Sequence, residues 1–137
     1  MIAKSILAGM AVILLLSAGP ALAAVCLAKS MTLDEIIDAI NTAPGCERAM
    51  KVFEACESGA SGDLSLGAAV ENKCEADFFK RLKAPQKLIY RRELRVCDRK
   101  YRNESGTMYL SFTAFCRAEV AQRYSRRALK AVGLRSR

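Results

Sequence analysis

The chain has 137 residues, with 22 lysines and arginines against 14 aspartates and glutamates, six cysteines and no histidine. The missing histidine removes the usual general base at neutral pH, and with it haem attachment through C-x-x-C-H. There is no C-x-x-C pair either, which argues against a zinc site or a redox dithiol.

The first segment sets the compartment. Lys4 precedes an apolar run from Ile6 to Leu16, followed by Ser17-Ala18-Gly19-Pro20 and then Ala21-Leu22-Ala23. That order predicts a secretory signal peptide over residues 1–23, cleaved after Ala23. The run is shorter than the ~20 residues a bilayer core requires, which argues against an anchor. Val25 stands where a lipoprotein signal needs a small residue before Cys26. The predicted product is a periplasmic or secreted single domain over residues 24–137, and all six cysteines fall within it. An even cysteine count in a small exported chain predicts three disulfides, with no metal and no cofactor.

Helical signals then follow one another along the chain. Thr32 and Glu35 have capping-box spacing, and Leu33, Ile36, Ile37 and Ile40 predict a first helix over 33–41. Pro44 suits the first turn of a second helix, which Met50, Phe53 and Cys56 continue to about Glu57. Ser58 to Asp63 reads as a loop. A third helix is expected over 66–83, with Val70, Cys74, Phe78 and Leu82 along one side. Pro85 opens a fourth to about Arg102, whose inner face carries Tyr90, Leu94, Cys97 and Tyr101. After the Asn103–Gly106 break, Thr107 is expected to cap a long last helix. Its inner face is expected to be Met108, Phe112, Cys116, Val120 and Tyr124, with fraying from Gly133. No alternating strand pattern is present. The predicted fold is therefore all-α, a small disulfide-stapled bundle of four to five helices.

This layout also predicts the pairing of the cysteines. Cys97 and Cys116 face each other across a hairpin, Cys56 and Cys74 flank the glycine-rich loop, and Cys26 and Cys46 pair by elimination.

Charge is unevenly placed. From Ala24 to Phe79 there are four basic residues against ten acidic, a net of −6; from Lys80 to Arg137 there are 17 against four, a net of +13. The back half is thus expected to meet an anionic partner, to pack on the front half, or both. Arg91, Arg95, Arg99 and Arg102 recur at helical spacing on the fourth helix. Arg123, Arg127 and Lys130, with Arg126 beside them, form a second run on the fifth. These are the candidate binding residues. An ordinary solvated helix face would look the same in sequence. Nucleic acid is set aside, because the leader directs the chain away from it.

The stretch from Gln86 to Leu129 resembles the C-terminal part of the lysozyme inhibitor LprI-like domain, a family of small exported bacterial proteins. The resemblance rests on Gln86, Tyr90, Arg92 and Cys97, then Gly106-Thr107-Met108-Tyr109, then Cys116, Arg123 and Ala128-Leu129. Further forward, Cys26, Ala28, Thr32 and Glu35 approximate the family's opening pattern, with Ala39 where its next cysteine usually stands. The resemblance implies a helical disulfide-linked fold, an envelope location, and inhibition of a lysozyme or another cell-wall hydrolase. Glycoside hydrolysis uses two carboxylates in a cleft, so an arginine from the last two helices, or near the Asn103–Thr107 turn, could be placed between them. The alternative is a basic envelope-associated protein held on anionic lipid or polysaccharide. Neither reading is catalytic. Asp34, Glu35 and Asp38 are explained by a cap and an acidic face, and no G-x-S-x-G elbow is present.

Overall fold

The computed structural model describes Cys26 and residues 31–135. The expected leader and its cleavage point at Ala23 lie outside the described residues, as do Ser136 and Arg137. Five helices account for nearly all the described structure: α1 (Leu33–Thr42), α2 (Cys46–Cys56), α3 (Asp63–Glu75), α4 (Ala84–Lys100) and α5 (Thr107–Arg135). No strand occurs among the described residues.

Local chemistry fixes the helix starts. The Glu35 amide donates to the Thr32 hydroxyl at 3.3 Å, while the Thr32 amide donates to the Glu35 carboxylate at 2.6 Å. This is the reciprocal cap the spacing predicted. Pro44 lies ahead of α2 rather than in its first turn, since Gly45 takes the N-cap position. Asp63 opens α3 three residues earlier than expected. Its carboxylate is buried and accepts from the Gly59 amide at 2.9 Å and the Ser58 amide at 3.2 Å, folding the loop back on the helix. Gly59 has φ +70°, a conformation that favours glycine. In α4, Pro85 sits in the first turn and the Lys83 amide donates to the Gln86 side chain at 2.8 Å.

The third helix does not run to Lys83. It ends at Glu75, and a short 3-10 turn over Phe79–Arg81 follows. The break turns Phe78 inward, where its ring meets Tyr90 at 5.1 Å and Tyr124 at 5.3 Å. The Asp77 carboxylate accepts from the Ser125 hydroxyl, and the Asp77 carbonyl accepts from Arg81, so the broken segment is tied at both levels.

The inner face of α5 also differs. Met108 and Phe112 are 54% and 42% exposed, while Ser111, Ala114, Ala118, Ala121 and Ser125 are buried. A residue every fourth position advances about 40° round a helix at each step, so Met108 to Tyr124 cannot share one face. Small residues form the true inner stripe, and they allow α3 to come close. A Cβ added at Gly67 would stand 2.8 Å from the Ala114 Cβ. Thr107 is the first helical residue rather than the cap, and α5 remains helical past Gly133 to Arg135.

The elements pack around α3, which touches α1, α2 and α5, while α4 packs on α5. Three disulfides staple this arrangement. Cys97–Cys116 crosses the α4–α5 hairpin, with Cα atoms 5.6 Å apart, as predicted. The other two are Cys26–Cys56 and Cys46–Cys74, not Cys56–Cys74 and Cys26–Cys46. The reason is the antiparallel α2–α3 hairpin. Cys46 at the start of α2 stands opposite Cys74 at the end of α3, and Cys56 is about 15 Å further along α2. Loops of 30, 28 and 19 residues each stabilise by about 3–4 kcal/mol in the chain-entropy account. No cysteine is free. Three intact disulfides belong to an oxidising, extracellular type of compartment. Among the described residues, no helix is long and apolar enough to cross a membrane.

Candidate anion-binding surface

The α4–α5 hairpin determines which charges remain available. α4 carries only two carboxylates, Glu93 and Asp98, and both are drawn to α5. Asp98 receives the Arg117 guanidinium at 2.9 Å on each oxygen, and Arg117 also reaches Glu71 of α3 at 3.0 Å. Glu93 accepts from Arg123 at 3.0 Å and from the Tyr124 hydroxyl at 2.7 Å. Burial, helped by Glu93, pushes the Tyr124 phenol up to about 12, so it remains a neutral donor. Burial also holds the Glu71 carboxyl above its ordinary value, even with Arg117 opposite.

Neutralising both acids at the seam leaves the outer face of α4 cationic. Arg91, Arg92, Arg95, Arg99 and Arg102 are exposed, and none makes an ion pair among the described residues. Arg91 lies over the Phe79 ring at 5.6 Å, beside Lys87 at 5.0 Å. Tyr90, Leu94 and Cys97 are buried on the opposite side, as the spacing predicted. Set among the arginines are Leu88, Ile89 and Val96, each more than half exposed.

The second basic run is divided. Arg123 braces α4 through Glu93. Arg126 pairs with Glu47 of α2, whose carboxylate also accepts from Gln122 at 3.1 Å; the Arg126 hydrogen bond holds the Glu47 carboxyl below its ordinary value. Arg127 rests over the Tyr124 ring at 5.6 Å, and Lys130 is exposed. The structure therefore sets Arg91, Arg95 and Arg99 on one exposed side of α4, leaves Arg102 exposed in the turn just past its end, and uses Arg123 in the scaffold. Sequence reasoning missed two features here. One is Arg117, the cation with the most partners. The other is the exposed apolar triplet on α4, which was readable as apolar residues on both sides of a single helix.

Other concave or exposed regions carry less. A cleft of about 510 Å³ lies beside the Cys26–Cys56 disulfide, lined by Met31, Leu33, Ile36 and Leu66. Its Asp63 carboxylate is occupied by loop amides. At the hairpin tip Tyr101, Tyr109 and Phe112 meet edge to edge or tilted at 5.6–6.0 Å, with Lys100 over Tyr101. Among the described residues, no group of three metal-ligating side chains converges. The chain matches no family model, no curated protein and no solved structure.

Proposed function

We propose that this protein is exported through the 1–23 leader to the periplasm or beyond, and there acts without catalysis by binding an anionic envelope surface through the outer face of α4. The observation that carries this reading is the pairing of Asp98 with Arg117 and of Glu93 with Arg123 on α5, which leaves Arg91, Arg92, Arg95 and Arg99 of α4, and Arg102 just past its end, exposed without an ion pair among the described residues. Electrostatic attraction of this kind acts at long range and weakens as salt shortens the screening length, about 10 Å at 0.1 M. The test is retention of the oxidised chain, residues 24–137, on an immobilised polyanion such as dextran sulfate. Binding that falls steeply with salt and is lost in Arg95→Glu/Arg99→Glu supports the reading. Equal retention of that variant contradicts it.

A second reading, inhibition of a lysozyme or another cell-wall hydrolase, rests on the LprI-like resemblance over Gln86–Leu129. The hairpin presents Arg102 and the Tyr101–Tyr109–Phe112 cluster on a stapled, preorganised scaffold, which favours docking into a cleft. Cell-wall lysis by lysozyme, titrated with the oxidised protein, tests it. Saturable inhibition that disappears on reduction supports this reading, and unchanged lysis by several lysozyme types removes it.

A further inference from the structure

We infer that the anionic partner of α4 is a lipid bilayer, on which the helix lies flat with Leu88, Ile89 and Val96 set into the headgroup boundary; this rests on the proposed anion-binding reading of the same face.

Charge alone does not choose between a soluble polyanion and a membrane, but the apolar side chains do. Leu88, Ile89 and Val96 are 59%, 51% and 51% exposed, so about half of each side chain meets water. A soluble polyanion covers the arginines and gains little from these three. A bilayer interface takes both, because arginine stems lie along apolar surface while their heads reach phosphate. The residues are arranged for this. On a helix of 3.6 residues per turn, Leu88, Arg92, Val96 and Arg99 fall on neighbouring turns of the outer side, with Arg91 and Arg95 along one edge. The row from Leu88 to Arg99 is about 16 Å long.

The scaffold makes the surface rigid. Asp98–Arg117, Glu93–Arg123 and the Cys97–Cys116 disulfide hold the inner side of α4 against α5. The helix is thus already formed and its outer side presented, so no ordering of a disordered segment opposes adsorption. A second copy of the chain is a poorer occupant. A symmetric contact on this face sets the arginines of one α4 against those of the other.

The experiment compares two probes. The oxidised chain 24–137 is co-sedimented with vesicles of phosphatidylglycerol in phosphatidylcholine, and its binding to dextran sulfate is measured in parallel. The variant Leu88→Ser/Ile89→Ser/Val96→Ser is expected to lose at least tenfold in vesicle affinity and to keep its dextran sulfate affinity within about twofold. Wild-type protein is expected to leave pure phosphatidylcholine vesicles unbound. Unchanged vesicle binding by the triple-serine variant overturns the bilayer inference and leaves the anion-binding reading standing. A dimer of the free wild-type chain that the triple-serine substitution dissolves overturns it in favour of a second copy. Wild-type binding to neither probe overturns both readings. All three sites are exposed, so the variant is expected to fold, and circular dichroism checks it.

Discussion

Replacing Gly67 with alanine sets two effects of opposite sign against each other at the α3–α5 contact. Alanine in a helix interior is favoured over glycine by about 1 kcal/mol. At this position, however, the new Cβ stands 2.8 Å from the Ala114 Cβ, 3.0 Å from its carbonyl oxygen and 3.1 Å from its Cα. Two of those three neighbours are backbone, so the contact is relieved only if the helices separate. Overpacking of this sort costs about 1–3 kcal/mol, and displacing a whole helix belongs at the upper end. The expected net is a destabilisation of about 1–2 kcal/mol, or a fall in Tm of roughly 5–10 °C for a domain of this size. Thermal unfolding followed by circular dichroism measures it. Ala68→Gly, on the exposed side of the same helix, calibrates propensity alone and is expected to cost about 1 kcal/mol. Ala114→Gly in the Gly67→Ala background removes the Cβ contact but not the backbone ones and itself costs about 1 kcal/mol in helix propensity, so it is expected to destabilise the Gly67→Ala protein by less than it destabilises wild type. A rise in Tm for Gly67→Ala would refute the close approach of the two helices.

Three further outcomes follow from named contacts. The Tyr90 hydroxyl is buried without a well-formed hydrogen bond, and burial, together with its interaction with the Glu75 carboxylate, holds the phenol above its ordinary value. Tyr90→Phe is therefore expected to change stability by no more than about 1 kcal/mol in denaturant unfolding; a larger loss would show that Glu75 forms a full hydrogen bond to it. Arg117→Met leaves Glu71, whose side chain is 12% exposed, without its cation, and is expected to cost about 2–3 kcal/mol. Adding Glu71→Gln should recover at least half of that, and no recovery would contradict the brace. The Glu47 carboxyl is depressed by Arg126 below its ordinary value near 4.5. Its contribution is therefore present above pH ~4.5 and lost as pH falls through the depressed value. Both side chains are about half exposed, so it amounts to under about 1 kcal/mol. The Tm difference between wild type and Glu47→Gln is expected to close as pH falls below about 4.5; curves that stay parallel below that pH would contradict the pairing.

Features set by short-range chemistry were legible in the sequence. Thr32 and Glu35 identify their helix start because a cap spans three residues. Tyr90, Leu94 and Cys97 identify the buried side of α4 because their spacing mixes steps of four and three and so stays on one face. The strict four-residue spacing read into α5 drifts off the face, and the stripe of serine and alanine that packs on α3 carries little hydrophobic signal. The disulfides differ from the expected pairing for a related reason. Flanking the loop is not sufficient, because an antiparallel hairpin pairs positions roughly equidistant from it. Cys46 and Cys74 stand 13 and 15 residues from Gly59, whereas Cys56 is only three away. At the candidate surface the arginine spacing on α4 was legible. What neutralises Glu93 and Asp98 was not, since their partners lie 19 to 30 residues away and are brought close only by the hairpin.

On the proposed reading, binding depends on where the charge sits rather than on how much of it there is, and a charge-matched pair of variants separates the two. Arg95→Glu/Arg99→Glu reverses two exposed cations on α4, and Arg48→Glu/Lys51→Glu reverses two exposed cations on α2 with the same change in net charge. Affinity for phosphatidylglycerol vesicles at about 0.1 M salt, where charges more than about 10 Å apart are largely screened, is the quantity to measure. The α4 pair is expected to lose binding by tenfold or more while the α2 pair stays within about threefold of wild type. Equal losses for the two pairs would show that net charge alone governs adsorption, and would contradict a binding face on α4.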